Sequence, residues 1–287
     1  MKVLVIGAGL VGTQVGARLR ELGHEVAGTT TTPGKVEGLR EQFDEVLVLR
    51  GSDRDAVAAA VAGRDAVVIA AGPSAQKAMT PEDRAASYKE ILVDTAESVV
   101  AAGGAPYLVA LSSLSVYGDA ADHLDEVTED SPVTTSTDPS PTMFLAMEKV
   151  YLDEAGDRAC VFRCGDIFGA EDPPIEVKVG MAHQYLGGSV PFSGDALFYR
   201  LAVEDASEAI VHALEARITG LHNLTHAEVP PTNAALFDAI SAAAGQPALT
   251  YRDEIASPKR PISVARLAES GFVAKRSYDA ATLSTAG

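Results

Sequence analysis

The chain has 287 residues, enough to bury a sizeable core as one large domain or as a domain with a lobe. Apolar residues make up 47% and charged residues 22%, which excludes a disordered chain, and no apolar run approaches the roughly 20 residues of a membrane helix. Asp and Glu number 40 against 23 Lys and Arg, a net charge of −17, so nucleic acid and anionic membrane surfaces would be repelled. Only 8 of the 23 cations are Lys. That balance suits a protein adapted to high salt, where screening relieves self-repulsion, and equally an acidic cytosolic protein.

Short runs rich in Val, Ile and Leu recur from the start: "KVLVIG" (2–7), "EVAGT" (25–29), "EVLVL" (45–49), "AVVIAA" (66–71), "PYLVALS" (106–112) and "ACVFR" (159–163). Such near-continuous apolar runs are the pattern of strands buried on both faces of a parallel sheet. Helical patterns lie between them. Val15, Leu19 and Leu22 fall at i, i+4, i+7, and Tyr88, Ile91, Leu92, Thr95 and Val99 form a second stripe. That second helix starts at "TPED" (80–83), with a Thr cap, a first-turn Pro and acidic residues. The repeated βα units predict a Rossmann-type, doubly wound parallel α/β sheet. After Arg163 the pattern loosens through "GAEDPP" and "GGSVPFSGD". A strand and helix return at 199–216, then a strand at 221–225 and helices at 232–244 and near 263–270. The expected division is a core of 1–165 and 199–226 with a smaller C-terminal substrate lobe of 166–198 and 227–287.

Cys160 and Cys164, the only cysteines, would stand about 13 Å apart on one strand, beyond disulfide reach. Met1-Lys2 leads directly into the first strand with no separate hydrophobic leader. A reduced chain with no separate leader is expected in the cytoplasm.

The first strand ends in glycines at 7, 9 and 12. Gly7 permits a tight turn, Gly9 lets backbone approach a pyrophosphate, and Gly12 lets the following helix pack against the sheet. The backbone of Leu10 and Val11 opens that helix towards the phosphates. Strand before, helix after and βα repetition beyond give this GxGxxG the context of a dinucleotide site. The acid that holds the ribose 2′-hydroxyl of NAD normally ends the second strand, yet no acid lies between Glu25 and Glu37. Thr29, Thr30 and Lys35 stand there instead, which leans towards NADP over NAD. Ser52 or Asp53, after the third strand, is placed to meet the adenine, and Ala71-Gly72 follows the fourth strand at the same sheet edge.

"LSSLSVYGD" (111–119) resembles the SS-x-x-VYG segment of the extended short-chain dehydrogenase/reductases, the NAD(P)-dependent epimerase/dehydratase family. "LDEVTEDSP" (124–132), "FRCGDIFGAEDPP" (162–174), "YRLAVEDASEAIVHALE" (199–215), "LHNLTHAEVPPTNAALFDAI" (221–240) and "KRPISVARLAESGF" (259–272) resemble further family segments in the family's order. The GxGxxG form resembles the family's atypical members. The resemblance implies hydride transfer with a nicotinamide cofactor. In the family a Tyr-x-x-x-Lys pair moves the proton and a Ser holds the substrate oxygen, the part that Ser113 would take.

The pair itself is missing from "PTMFLAMEKVYLDE" (141–154). If Lys149 is the family Lys, Leu145 stands at the Tyr position. If Glu148 is the family's trailing Glu, the pair positions hold Ser140 and Phe144. Neither Leu nor Phe transfers a proton. Tyr117, at the mouth of the strand that carries Ser113, is the candidate substitute, or simply the packing aromatic of its segment. Arg200 can hold an anionic substrate group by its fork or form an ordinary salt bridge, and Asp166 joins it as a substrate-binding candidate. Phe198 stands near where nucleotide-sugar members carry a phosphate-binding Arg. His222 and His226, at i, i+4, lack accompanying carboxylates or thiols, so no metal is expected. His183 faces a substrate cleft or a surface loop.

These features predict an NAD(P)-dependent oxidoreductase or epimerase for a polar, for instance sugar-derived, carbonyl or hydroxyl compound. The alternative is a catalytically silent dinucleotide-binding sensor or scaffold. Neither a nucleic-acid nor a membrane partner is expected, and a homodimer is left open.

Overall fold

A computed structural model describes residues 1–73, 80–170 and 172–275. The strands, in chain order, are β1 (Lys2–Ile6), β2 (Glu25–Thr30), β3 (Glu45–Val48), β4 (Ala66–Ile69), β5 (Tyr107–Ser113), β6 (Ala159–Cys164), β7 (Asp166–Phe168), β8 (Ser189–Phe192), β9 (Arg200–Ala202), β10 (Gly220–Leu224) and β11 (Thr250–Ile255). The helices are α1 (Leu10–Glu21), α2 (Val36–Leu39), α3 (Arg54–Val61), α4 (Pro81–Tyr88), α5 (Thr95–Ala101), α6 (Pro139–Ala155), α7 (Ile175–Leu186), α8 (Val203–Ala216), α9 (Asn233–Ala243) and α10 (Ala265–Glu269).

Seven strands form one sheet in the order β10-β6-β5-β4-β1-β2-β3. Pairs β1–β2, β1–β4, β2–β3 and β4–β5 are parallel. The order reverses between β1 and β4, which in a doubly wound sheet opens a crevice for a ligand at the strands' carboxyl ends. Burial explains the apolar runs: β4 and β6 are buried at every residue, and β1 at all but Lys2.

The chain divides into two compact units. The first is 1–113, 136–163 and 203–222; the second is 114–135, 164–202 and 223–275 among the described residues. In the first, Leu4, Ile6, Val67, Ile69, Leu108 and Val161 pack with Val57, Leu92, Val99, Met147 and Tyr151 of the covering helices. Phe43 fills the gap between α1 and β2, where a Cβ on Gly16 or Gly28 would meet its ring at 2.4 and 2.7 Å. In the second unit, Ile175, Val179 and Ala182 of α7 pack with Val190, Leu236, Phe237 and Leu249. Strands β8 and β11 pair in parallel, as do β7 and β9.

Segment 114–135 belongs to the second unit. It is tied there by the Val127–Ile262 bridge and by the bonds of Asn223 to Tyr117 and Glu129. The stripe beginning at Thr80 runs as α4, a π-helical segment (Lys89–Asp94) and α5. Thr80 caps its start by accepting from the Asp83 N–H. Helix α7 lies in the stretch whose sequence pattern had loosened. Both cysteines are buried, and among the described residues no helix is long and apolar enough to cross a membrane.

Candidate functional site

The glycine turn belongs to the first unit. Gly7 adopts φ +98°, and a Cβ there would lie 2.6 Å from the Ala71 backbone, so the turn touches the chain two residues beyond β4. A Cβ on Gly12 would meet the Gly7 carbonyl oxygen at 2.0 Å, which packs α1 directly on the turn. Gly9, the N-cap of α1, is the opposite: its backbone is extended, its surface is exposed, and a Cβ would meet nothing within 4 Å. The turn is thus crowded at two glycines and open at the middle one. That open backbone leads into the first turn of a 12-residue helix with no acidic side chain there, where free N–H groups and the dipole favour an anion. The open cradle at Gly9 fits a dinucleotide's pyrophosphate.

Thr29 contributes differently from its expected hydroxyl contact with cofactor. It is 3% exposed. Its Oγ1 accepts from the Gly7 N–H at 3.0 Å and its carbonyl from Ala8 at 2.8 Å, so it fastens the turn from beneath. Thr30 Oγ1 accepts from the Thr32 N–H, and Lys35 sits exposed on the short turn that follows. Asp53 caps α3 by accepting from Ala56, and Ser52 donates to Glu90 Oε1 at 3.1 Å. Glu90 escaped the sequence reading. It lies in the π-helical segment and also accepts from Arg50. A Cβ on Gly51 would meet Thr95 Oγ1 at 2.2 Å, so this helix and the loop after β3 are in close contact. The helical stripe signalled the helix but not the widened turn that presents Glu90. Gly72 is exposed beside Ala71.

Ser113 ends β5 and is half-buried. Ser112, one residue earlier, donates to Glu148 Oε1 at 2.6 Å. Glu148 is buried on α6 and closed on the buried Arg163 of β6, at 2.7 Å from Nη2 and 3.0 Å from Nε. This ion pair fixes the rotation of α6. Positions four and eight residues earlier, Phe144 and Ser140, lie on the same face as Glu148. In either alignment the pair positions hold no Tyr: Leu145 and Lys149 in one, Ser140 and Phe144 in the other. Lys149 falls on the solvent face with its side chain 76% exposed and pairs with Asp153, which also holds its pKa above the usual lysine value. The catalytic role expected for it is withdrawn.

The role expected for Tyr117 is withdrawn too. Its ring is fully buried in the second unit and its hydroxyl donates to Asn223 Oδ1 at 2.7 Å. Asn223 is itself held by Glu129 and by the Ser263 carbonyl. A hydroxyl engaged in this way packs the VYG segment. Tyr151 of α6 is likewise fully buried, its hydroxyl has no hydrogen-bond partner, and burial drives its pKa far up.

Also in the second unit, Arg200 is buried and faces Asp166, its partner in the β7–β9 register. His183 Nε2 lies 2.9 Å from Ser241 Oγ, which ties α7 to α9. His222 is buried in the first unit, with Nε2 bonded to the Thr219 carbonyl and its ring beside Phe162. His226 is buried in the second. Among the described residues no group of three or more His, Cys, Asp or Glu side chains assembles as a metal site.

Sheet order, switch point and glycine turn together define a Rossmann-type dinucleotide fold. Residues 3–225 match the model of the NAD dependent epimerase/dehydratase family, and the chain belongs to that family. No curated protein matches it in sequence. Among solved structures it is similar to a short-chain dehydrogenase/reductase superfamily protein from Agrobacterium tumefaciens with bound NAD, at 21% identity and TM-score 0.75, covering 100% of this chain and 96% of the other. It is similar to the Thermus thermophilus UDP-glucose 4-epimerase in complex with NAD, at 21% identity and TM-score 0.75, covering 97% and 95%. It is also similar to the Bordetella bronchiseptica enzyme WbmH in complex with NAD+, at 18% identity and TM-score 0.75, covering 99% and 95%. At these identities the likeness concerns the fold.

Proposed function

We propose that the chain is an NAD(P)-dependent oxidoreductase or epimerase acting on a polar carbonyl or hydroxyl compound, sugar-derived or a hydroxy acid, with NADP bound at least as well as NAD. The observation that carries this reading is the open backbone at Gly9 between the crowded Gly7 and Gly12. Family membership and the NAD-bound structural neighbours support the dinucleotide. When bound, the nicotinamide of such a cofactor takes up or returns a hydride.

The chain's own residues then divide the remaining work. The turn and the first N–H groups of α1 bind the pyrophosphate. The acid-free end of β2, with Thr30 and the exposed Lys35, tolerates a 2′-phosphate that a carboxylate would repel. Ser52 and Asp53 line the loop proposed to meet the adenine, held by Glu90. Ser113 donates to, or accepts from, the substrate oxygen. Proton transfer falls to a group other than Tyr117 and Lys149, because the first is buried and the second faces solvent.

The same two placements favour a second reading, a dinucleotide-holding protein without catalysis. A screen of sugars and hydroxy acids by nicotinamide absorbance separates the two. Turnover of any member supports the enzyme, whereas tight NADP binding with no turnover across the panel supports the silent module. Failure to bind either dinucleotide would overturn both.

A further inference from the structure

Two arginines of this chain are equally buried, each with its side chain 4% exposed, and they are satisfied in opposite ways. Arg163 is closed on Glu148 by charge-assisted hydrogen bonds. Arg200 is not closed on anything of that kind. Its Nε is buried with no hydrogen-bond partner. Its ion pair, Asp166 Oδ2, stands at 3.5 Å, outside the range of a charge-assisted bond, and the Asp166 side chain is 59% exposed.

Aromatic rings hold Arg200 in place. Its guanidinium carbon lies 4.0 Å from the centroid of Phe168 and 5.9 Å from that of Phe198. Phe198 is braced edge-on by Phe237, with centroids 5.0 Å apart at 78°. A buried hydroxyl without a partner, Thr225 Oγ1, lies 3.4 Å from where a Cβ on Gly165 would stand, beside the head of β7. A cation sealed in a core needs acceptors for its donors, and a buried donor left over calls for an explanation. Stacking fixes the plane of the fork, and its Nε edge has only the long contact to Asp166.

We infer that Arg200 receives the carboxylate of a hydroxylated acid, with Asp166 accepting from an adjacent hydroxyl of the same molecule. This rests on the reading that the chain acts on a polar carbonyl or hydroxyl compound, and it narrows that class to organic acids. The planar fork matches a carboxylate edge to edge. A carboxylate brings one negative charge beside Asp166, whereas a phosphate monoester brings up to two against that same carboxylate.

The test uses the full chain with NADP added. The Nε–Hε resonance of Arg200, assigned by its loss in Arg200→Lys, is followed while D-glucuronate, D-glucose and D-glucose 6-phosphate are titrated at constant salt. D-Glucuronate should shift it saturably, D-glucose should not, and D-glucose 6-phosphate should bind more weakly than D-glucuronate. Arg200→Lys should bind D-glucuronate at least about tenfold more weakly, the value of one charge-assisted bond. Asp166→Asn, a change at an exposed side chain, should bind D-glucose 6-phosphate more tightly and keeps the test open if Arg200→Lys does not fold. An unmoved resonance with D-glucuronate, an equal response to D-glucose, or Asp166→Asn leaving the acid-to-phosphate preference unchanged would overturn the inference. Calorimetry of NADP alone is done first: loss there strikes the dinucleotide reading, whereas NADP binding with a silent Arg200 strikes only this one.

Discussion

Gly9 and Gly12 are three positions apart and face opposite constraints. A side chain at 12 collides with the Gly7 carbonyl, whereas a side chain at 9 enters open space with an extended backbone that any residue adopts. Gly12→Val should therefore destabilise the fold, and Gly9→Val should leave the melting temperature nearly unchanged while removing dinucleotide affinity. Tyr151 and Tyr117 form a second contrast. Tyr151→Phe removes a buried hydroxyl that has no partner, and stability should hold or rise by about 1 kcal/mol in denaturant titration. Tyr117→Phe leaves Asn223 Oδ1 without its donor, so stability should fall by about 1–3 kcal/mol while NADP affinity stays at the wild-type value. A fall for Tyr151→Phe, or a loss of NADP affinity for Tyr117→Phe, would contradict these placements.

Helix α6 shows how one interaction fixes what neighbouring residues can do. Glu148 turns inward to Arg163 and Ser112, and the next residue, Lys149, is thereby turned out to solvent. Glu148→Ala takes the carboxylate away from the buried Arg163, at a cost of about 3–5 kcal/mol in equilibrium unfolding. Lys149→Ala should leave both stability and NADP binding unchanged. Equal losses from the two would mean that the helix sits in another rotation. This phase was not legible in the sequence, because "LAMEKVYL" mixes acidic, basic and apolar residues, and the inward turn of Glu148 depends on the distant Arg163. The strands of the large sheet were legible, since burial on both faces leaves an unbroken apolar signature. The paired strands β8 and β11 were not: β11 reads "TYRDEI", mostly exposed, and offers no apolar run. The glycine turn could be read because each glycine answers a backbone demand. Tyr117 could not be placed, because the same ring serves packing or chemistry according to where its hydroxyl points.

Over the whole molecule, charge is the dominant unsatisfied term. A net charge of −17 repels itself, and the exposed ion pairs are each worth little. The Debye length shrinks from about 30 Å at 0.01 M salt to about 3 Å at 1 M. The melting temperature should therefore climb across that range of KCl, and a flat or falling curve would show that specific pairs outweigh the net repulsion. Within this acidic frame, the sheet's switch point and the open backbone at Gly9 are the features on which the functional account rests. The measurement that tests it most directly is calorimetric titration of NADP and NAD into the wild-type chain and Gly9→Val at one salt concentration. The account predicts that wild type binds NADP at least as tightly as NAD, and that a folded Gly9→Val binds neither. Equal binding of both dinucleotides by wild type and Gly9→Val, or no binding by wild type, would contradict it.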